Sequence, residues 1–126
     1  MRDDYIEAVL ETAALIPPGR VLAYGDIAEL LGTAGPRQVG SVLSHYGSSI
    51  PWWRVIRANG EPPACHGGSA LVHYEAEDTP LRRNSTGSAG YKVDMRNGRW
   101  QPSEQEFEAV EAIVRKMSEG YGEVVP

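Results

Sequence analysis

Between Tyr24 and Gly47 the chain sets two short helix-forming stretches so close together that a helix-turn-helix is the natural way to fold them. Ile27, Leu30 and Leu31 form an apolar stripe closed by Gly32, and Val39, Val42 and Leu43 form a second, running from near Arg37 to Tyr46-Gly47. Only Thr33-Ala34-Gly35-Pro36 lies between them. Glycine lets the backbone turn sharply and proline is preset for a first helical position, so this linker joins two helices that pack at a steep angle.

The flanks supply the rest of the layout. Tyr5, Ile6, Val9, Leu10, Ala13 and Leu15-Ile16 recur at helical spacing, and Pro17-Pro18-Gly19 ends that helix. Arg20 to Ala23 reads as extended. Val55-Ile56-Arg57-Ala58-Asn59-Gly60 reads as a brief strand entering an Asn-Gly turn, the form expected of a wing. Glu61 to Gly68 is a loop, with two prolines and two glycines, and 69–77 can form a helix. A connector is expected over 84–90 and a strand over Tyr91 to Met95. Ser103 and Glu106 have capping-box spacing ahead of Phe107, Val110, Val114 and Met117 at helical intervals. The expected fold class is mainly α with short strands: a winged helix-turn-helix with an extra C-terminal helix. All 126 residues fit one domain, with 101–126 an acidic helical extension.

The formal charge of -5 counts against a nucleic-acid partner until its distribution is considered. Residues 20–100 carry nine Lys and Arg against seven acids, whereas residues 1–19 have four acids against Arg2 and 101–126 have six against Arg115 and Lys116. The middle of the chain can therefore present a DNA face. The acidic outer side of the last helix either keeps the protein soluble or docks another protein. No apolar run approaches the roughly 20 residues of a membrane span, and Met1-Arg2-Asp3-Asp4 does not suit a signal peptide, so a cytoplasmic protein is expected. With Cys65 as the only cysteine and no zinc-like spacing, neither disulfide nor metal nor other cofactor is expected.

Three motifs in order, Ile16-Pro17 through Tyr24-Gly25-Asp26-Ile27-Ala28, Arg37-Gln38-Val39-Gly40 and Pro51-Trp52-Trp53-Arg54-Val55-Ile56, resemble the DNA-binding domain of O6-alkylguanine-DNA alkyltransferases over roughly residues 5–100. The resemblance implies a winged helix-turn-helix that approaches the minor groove, flips a guanine out of the stack and passes its alkyl group to the cysteine of a Pro-Cys-His-Arg-Val motif. That transfer needs a thiolate, activated by a neighbouring base. Here Trp52 stands at the cysteine position and Trp53 at the histidine position, and an indole is a donor only. The chain thus looks like the non-enzymatic alkyltransferase-like proteins, most often Pro-Trp-His-Arg-Val, from which Trp53 departs. These imply lesion binding without turnover, the bound complex being a flag for nucleotide excision repair and its proteins, such as UvrA.

By the same resemblance, Tyr24, Pro51, Trp52, Trp53, Arg54 and Val55 form the lesion pocket, and Tyr24, Arg37, Gln38, Gly40 and Ser41 meet DNA. Tyr24 would displace a phosphate and assist flipping, or is a core tyrosine. Arg37 would enter the gap left by the flipped base, since an arginine at a helix start is unfavourable against the dipole. Gly40 either lets DNA approach or packs a helix. Arg54 would hold the binding loop through carbonyl contacts, and Glu77, with no histidine to orient, is structural. Ala23 replaces a frequent Thr cap, leaving the second helix less firmly started. His45 and His73 read as isolated surface or packing residues. The expected partner is double-stranded DNA containing O6-alkylguanine, bound by a monomer with no catalytic residue. The alternatives are residual alkyl transfer through Cys65 and a winged helix-turn-helix transcription regulator.

Overall fold

The computed structural model describes residues 2–83, 87 and 89–122. Helix α1 (Asp3–Leu15) opens with Asp3 and Asp4, whose charges suit the positive helix start, and stops where Pro17-Pro18 cannot continue it. Strand β1 (Leu22–Ala23) leads directly into α2 (Tyr24–Leu31). Ala23 offers no cap, but the Asp26 carboxylate accepts the Ala23 N–H at 2.8 Å, so the start is secured from inside the helix. Gly32 closes α2 in the left-handed conformation at φ 72°. Helix α3 (Pro36–Tyr46) begins on proline, and Gln38 Oε1 accepts the Gly35 N–H at 3.1 Å.

Two apolar clusters result. The larger joins α1, α2 and α3 with the last helix, α6 (Glu104–Gly122), through Val9, Ile27, Val39, Val42 and Val110. The Ser103–Glu106 box forms as the spacing predicts, with Ser103 N–H to Glu106 at 2.9 Å and Glu106 N–H to Ser103 at 3.2 Å. The buried face of α6 is carried by Val110 and Ile113, with Val114 and Met117 partly covered, while Phe107, expected on that face, is exposed. The smaller cluster gathers Val21, Ile56, Ala70, Tyr74, Tyr91 and Val93, and Trp52 and Trp53 pack against it.

The expected wing is displaced. Strand β2 (Val55–Ile56) pairs in parallel with β1, Leu22 opposite Val55 and Ala23 opposite Ile56, so 55–60 is no hairpin. The antiparallel ribbon is instead β3 (Leu81–Arg83) with β4 (Tyr91–Val93). Gly60 still turns at φ 92°, where an added Cβ would sit 2.4 Å from the Val93 carbonyl oxygen, so this turn packs under β4. Between the two regions α4 (Gly67–Ala76) begins two residues earlier than expected, and a single turn α5 (Met95–Gly98) follows β4 in place of the end of the expected strand. Of the expected connector, 84–86 and 88 lie outside the described residues. No helix among the described residues is long and apolar enough to cross a membrane.

Candidate nucleic-acid interface

Residues Trp52–Arg54 form one 3-10 turn, held by Trp52 N–H to Ile50 O at 2.7 Å and Arg54 N–H to Pro51 O at 3.1 Å. With about three residues per turn, successive side chains diverge by about a third of a circle. Trp52 consequently faces a cleft, Trp53 faces α4 and Arg54 points inward. Val55, the next residue, is fully buried in the larger core. The proposed pocket set therefore splits into lining and support.

The support is built around Glu77, just past α4. Its carboxylate accepts from Arg54 Nε at 3.2 Å, from Trp53 Nε1 at 3.1 Å and from the Gly19 N–H at 3.2 Å, while Arg54 Nη1 reaches the Ile16 carbonyl at 2.9 Å. Arg54 thus ties the turn to the end of α1, as a loop-holding residue should. Burial pushes the Glu77 carboxyl up, but the hydrogen bonds from Arg54, Gly19 and Trp53 outweigh it and hold the group below the ordinary carboxylate value. Gly19 is required here: its φ is 85°, and an added Cβ would lie 2.9 Å from the Glu77 carbonyl oxygen.

Glu77 is structural, as expected with no histidine to orient: the Trp53 indole N–H is one of the donors it holds. His73, expected to be isolated, stacks on the Trp53 ring with centroids 3.6 Å apart and planes within 7°. Tyr74, whose hydroxyl burial pushes far above its usual range, donates to the Trp53 carbonyl at 2.6 Å. The sequence did hold a signal for His73. It lies four residues before Glu77, which places both on one side of a helix.

The cleft has a volume of about 380 Å³, within the usual size of small-molecule pockets. Tyr24, Gly40 and Ser44 line it from α2 and α3, and Trp52, Pro63 and His66 from the 3-10 turn and the loop ahead of α4. Trp52 meets the Trp53 ring edge-on at 5.6 Å and the His66 ring, tilted, at 5.3 Å. Burial raises the Tyr24 phenol, which the nearby Arg57 charge partly offsets. An added Cβ on Gly40 would meet only the Tyr24 ring at 4.0 Å, ordinary contact, so packing does not demand glycine there. Of the predicted pocket residues, Tyr24 and Trp52 line the cleft; Pro51, Trp53, Arg54 and Val55 do not. His66 lines it and was missed, since a loop histidine carries no periodic signal.

Along α3, Arg37 is exposed and held by no ion pair among the described residues. Gln38 is exposed beside it, its carbonyl engaged by the Gly35 N–H, and Ser41 is half-buried a turn further on. Cys65 is exposed at φ 68°; its neighbours Ala64 and His66 line the cleft and it does not. Among the described residues no three His, Cys, Asp or Glu side chains are grouped to hold a metal.

A helix-turn-helix braced by α1 and α6, with a short antiparallel ribbon and an aromatic cleft beside the second helix of the motif, defines a DNA-binding protein of the winged-helix type. Residues 4–76 match the 6-O-methylguanine DNA methyltransferase, DNA binding domain, and the chain belongs to that family. A DNA base-flipping protein of Escherichia coli is 43% identical over 61 residues, spanning 46% of this chain and 47% of that protein, so this match covers about half of that relative's length. The DNA base-flipping protein of Vibrio parahaemolyticus is 28% identical over 109 residues, which cover 79% of this chain and 99% of that one. Among solved structures, Schizosaccharomyces pombe Atl1 in complex with damaged DNA containing O6-carboxymethylguanine superposes with a TM-score of 0.68 at 29% identity, covering 81% of this chain and 100% of that one.

Proposed function

We propose that this protein binds duplex DNA containing O6-alkylguanine, turns the damaged base into the Trp52 cleft and holds it there without removing the alkyl group. The carrying observation is that an indole, Trp52, with no nucleophilic atom, lines the cleft; in the motif reading it takes the place of the cysteine that an alkyltransferase needs. A flipped base in the cleft gains contact with the Trp52 ring, worth about 1–3 kcal/mol for aromatic stacking. Tyr24, which also lines the cleft, would meet the flipped nucleotide, while Arg37, Gln38 and Ser41 would meet the duplex and Gly40 would let it approach. In this reading Trp53, Arg54 and Val55 set the position of Trp52 and do not themselves meet the lesion.

The similarity to a chain held on O6-carboxymethylguanine DNA supports this choice of substrate class. The protein would act in the cytoplasm as a monomer, and the long-lived complex would mark the lesion for excision-repair proteins. The test compares duplexes that differ only in one O6-methylguanine, at fixed salt because phosphate contacts strengthen both complexes alike. Tighter binding to the damaged duplex, with the methyl group recovered intact on guanine by mass spectrometry, is expected. Equal affinity for the two duplexes sinks the reading, and a protein heavier by one methyl group would replace it with transfer.

A further inference from the structure

Trp52 touches the cleft, but it is held from behind. It meets Trp53 edge-on at 5.6 Å and 87°, and His73 edge-on at 6.0 Å and 81°. Since those two rings lie parallel and 3.6 Å apart, they form a two-ring slab against whose side Trp52 leans. We propose that His73 is the positioning residue of the lesion site: by covering the face of Trp53 it fixes the angle at which Trp52 crosses the cleft.

The other contacts on Trp53 leave one motion free, and His73 is the group that blocks it. Tyr74 fixes the Trp53 backbone through its carbonyl, and Glu77 fixes one edge of the ring through Nε1. A ring held at one edge can still tilt about that hydrogen bond. The flat imidazole at van der Waals distance stops the tilt, and edge-on and stacked aromatic contacts of this kind favour particular angles. The Arg54 guanidinium, pinned by Glu77 and Ile16, stands 5.5 Å from the Trp53 ring centre against 3.6 Å for the imidazole, so it limits the tilt less closely. Without His73, Trp52 keeps His66 as its other ring neighbour, on the cleft side, and would relax toward it and narrow the space. His73 and Tyr74 lie on α4 and Glu77 just past it, so this one helix holds the turn that carries Trp52.

The affinity part of this inference rests on the lesion-binding reading above; the ring geometry does not. Two measurements therefore run together on wild type, His73→Ala, His73→Leu and His73→Phe. One is the near-UV circular dichroism of the free protein, which reports fixed aromatic packing. The other is the ratio of the affinity for the O6-methylguanine duplex to that for the undamaged duplex. His73→Ala and His73→Leu are expected to lose tryptophan-band ellipticity and to lower the ratio about three- to tenfold, the range an aromatic pair is worth. His73→Phe, which restores a flat ring, should recover both, and undamaged duplex should bind all four alike. Leucine fills the volume, so it serves if the alanine variant does not fold. A folded Leu or Ala variant with the wild-type spectrum overturns the proposal, as does an unchanged ratio where wild type discriminates. Should wild type show no preference, the lesion reading fails and the spectrum alone decides the role of His73.

Discussion

In the proposed interface the Trp52–Arg54 turn and the outer face of α3 would solve opposite problems. In the turn, Trp53 and Arg54 are fixed by hydrogen bonds to Glu77 and Ile16 and by the His73 stack, so Trp52 is presented at a set angle. On α3, Arg37 is exposed and unpaired among the described residues, free to reorient toward a partner. The contrast follows from what each must do. A wall that gains affinity by stacking must be in place before the base arrives, because ordering it on binding would cost the entropy of the rings. A cation that meets phosphate or an unpaired base works across a polar, wet boundary and tolerates freedom.

Unfastening the turn should have the largest effect. Glu77→Ala leaves the Arg54 charge, on a side chain 12% exposed, with the Ile16 carbonyl but no counter-ion, and removes the acceptor of Trp53 and Gly19 as well. Loss of about 3 kcal/mol is expected by urea denaturation at pH 7, the lower end for leaving one partner of a buried pair alone. A loss below about 1 kcal/mol would mean that the turn is held mainly by its aromatic packing.

Acid should undo the same fastening. The folded Glu77 carboxyl lies below its ordinary value, so its contribution is fully present above the usual carboxylate range and is lost as pH falls through the folded value. The stability gap between wild type and Glu77→Gln should therefore narrow between pH 7 and about pH 3. A gap that does not change with pH removes Glu77 ionisation from the account.

Trp52→Ala separates the wall from its support. Affinity for the O6-methylguanine duplex should fall by about 1–3 kcal/mol with little change for undamaged DNA, measured by fluorescence anisotropy at one salt concentration. Equal losses on both duplexes would move Trp52 from lesion recognition to general DNA contact. The smallest effect is expected on the free face. Arg37→Ala should weaken damaged-duplex binding by about 1 kcal/mol and leave the urea midpoint in place. A shifted midpoint would show that Arg37 is part of the scaffold after all.

Much of the fold was legible because its signals are local. Gly32, Pro36, the Ser103–Glu106 pair and the proline stop after α1 each act within one turn of backbone, and each does in the structure what its chemistry predicts. The wing was misplaced because a two-residue strand reads the same whether its partner is its own hairpin or β1, more than thirty residues earlier. Pocket membership was overdrawn for a related reason. Five consecutive residues looked like one motif, but the 3-10 turn sends Trp52 to the cleft, Trp53 to α4 and Val55 into the core.

The helix-turn-helix and the lack of a nucleophile at Trp52 follow from residue identity and spacing along one chain. It took the packing of distant segments to clamp Trp53 with His73 and Glu77 and to bring His66 and Tyr24 to the same cleft. Those meetings join segments some twenty to forty residues apart, and they depend on how helices pack, which no local propensity encodes.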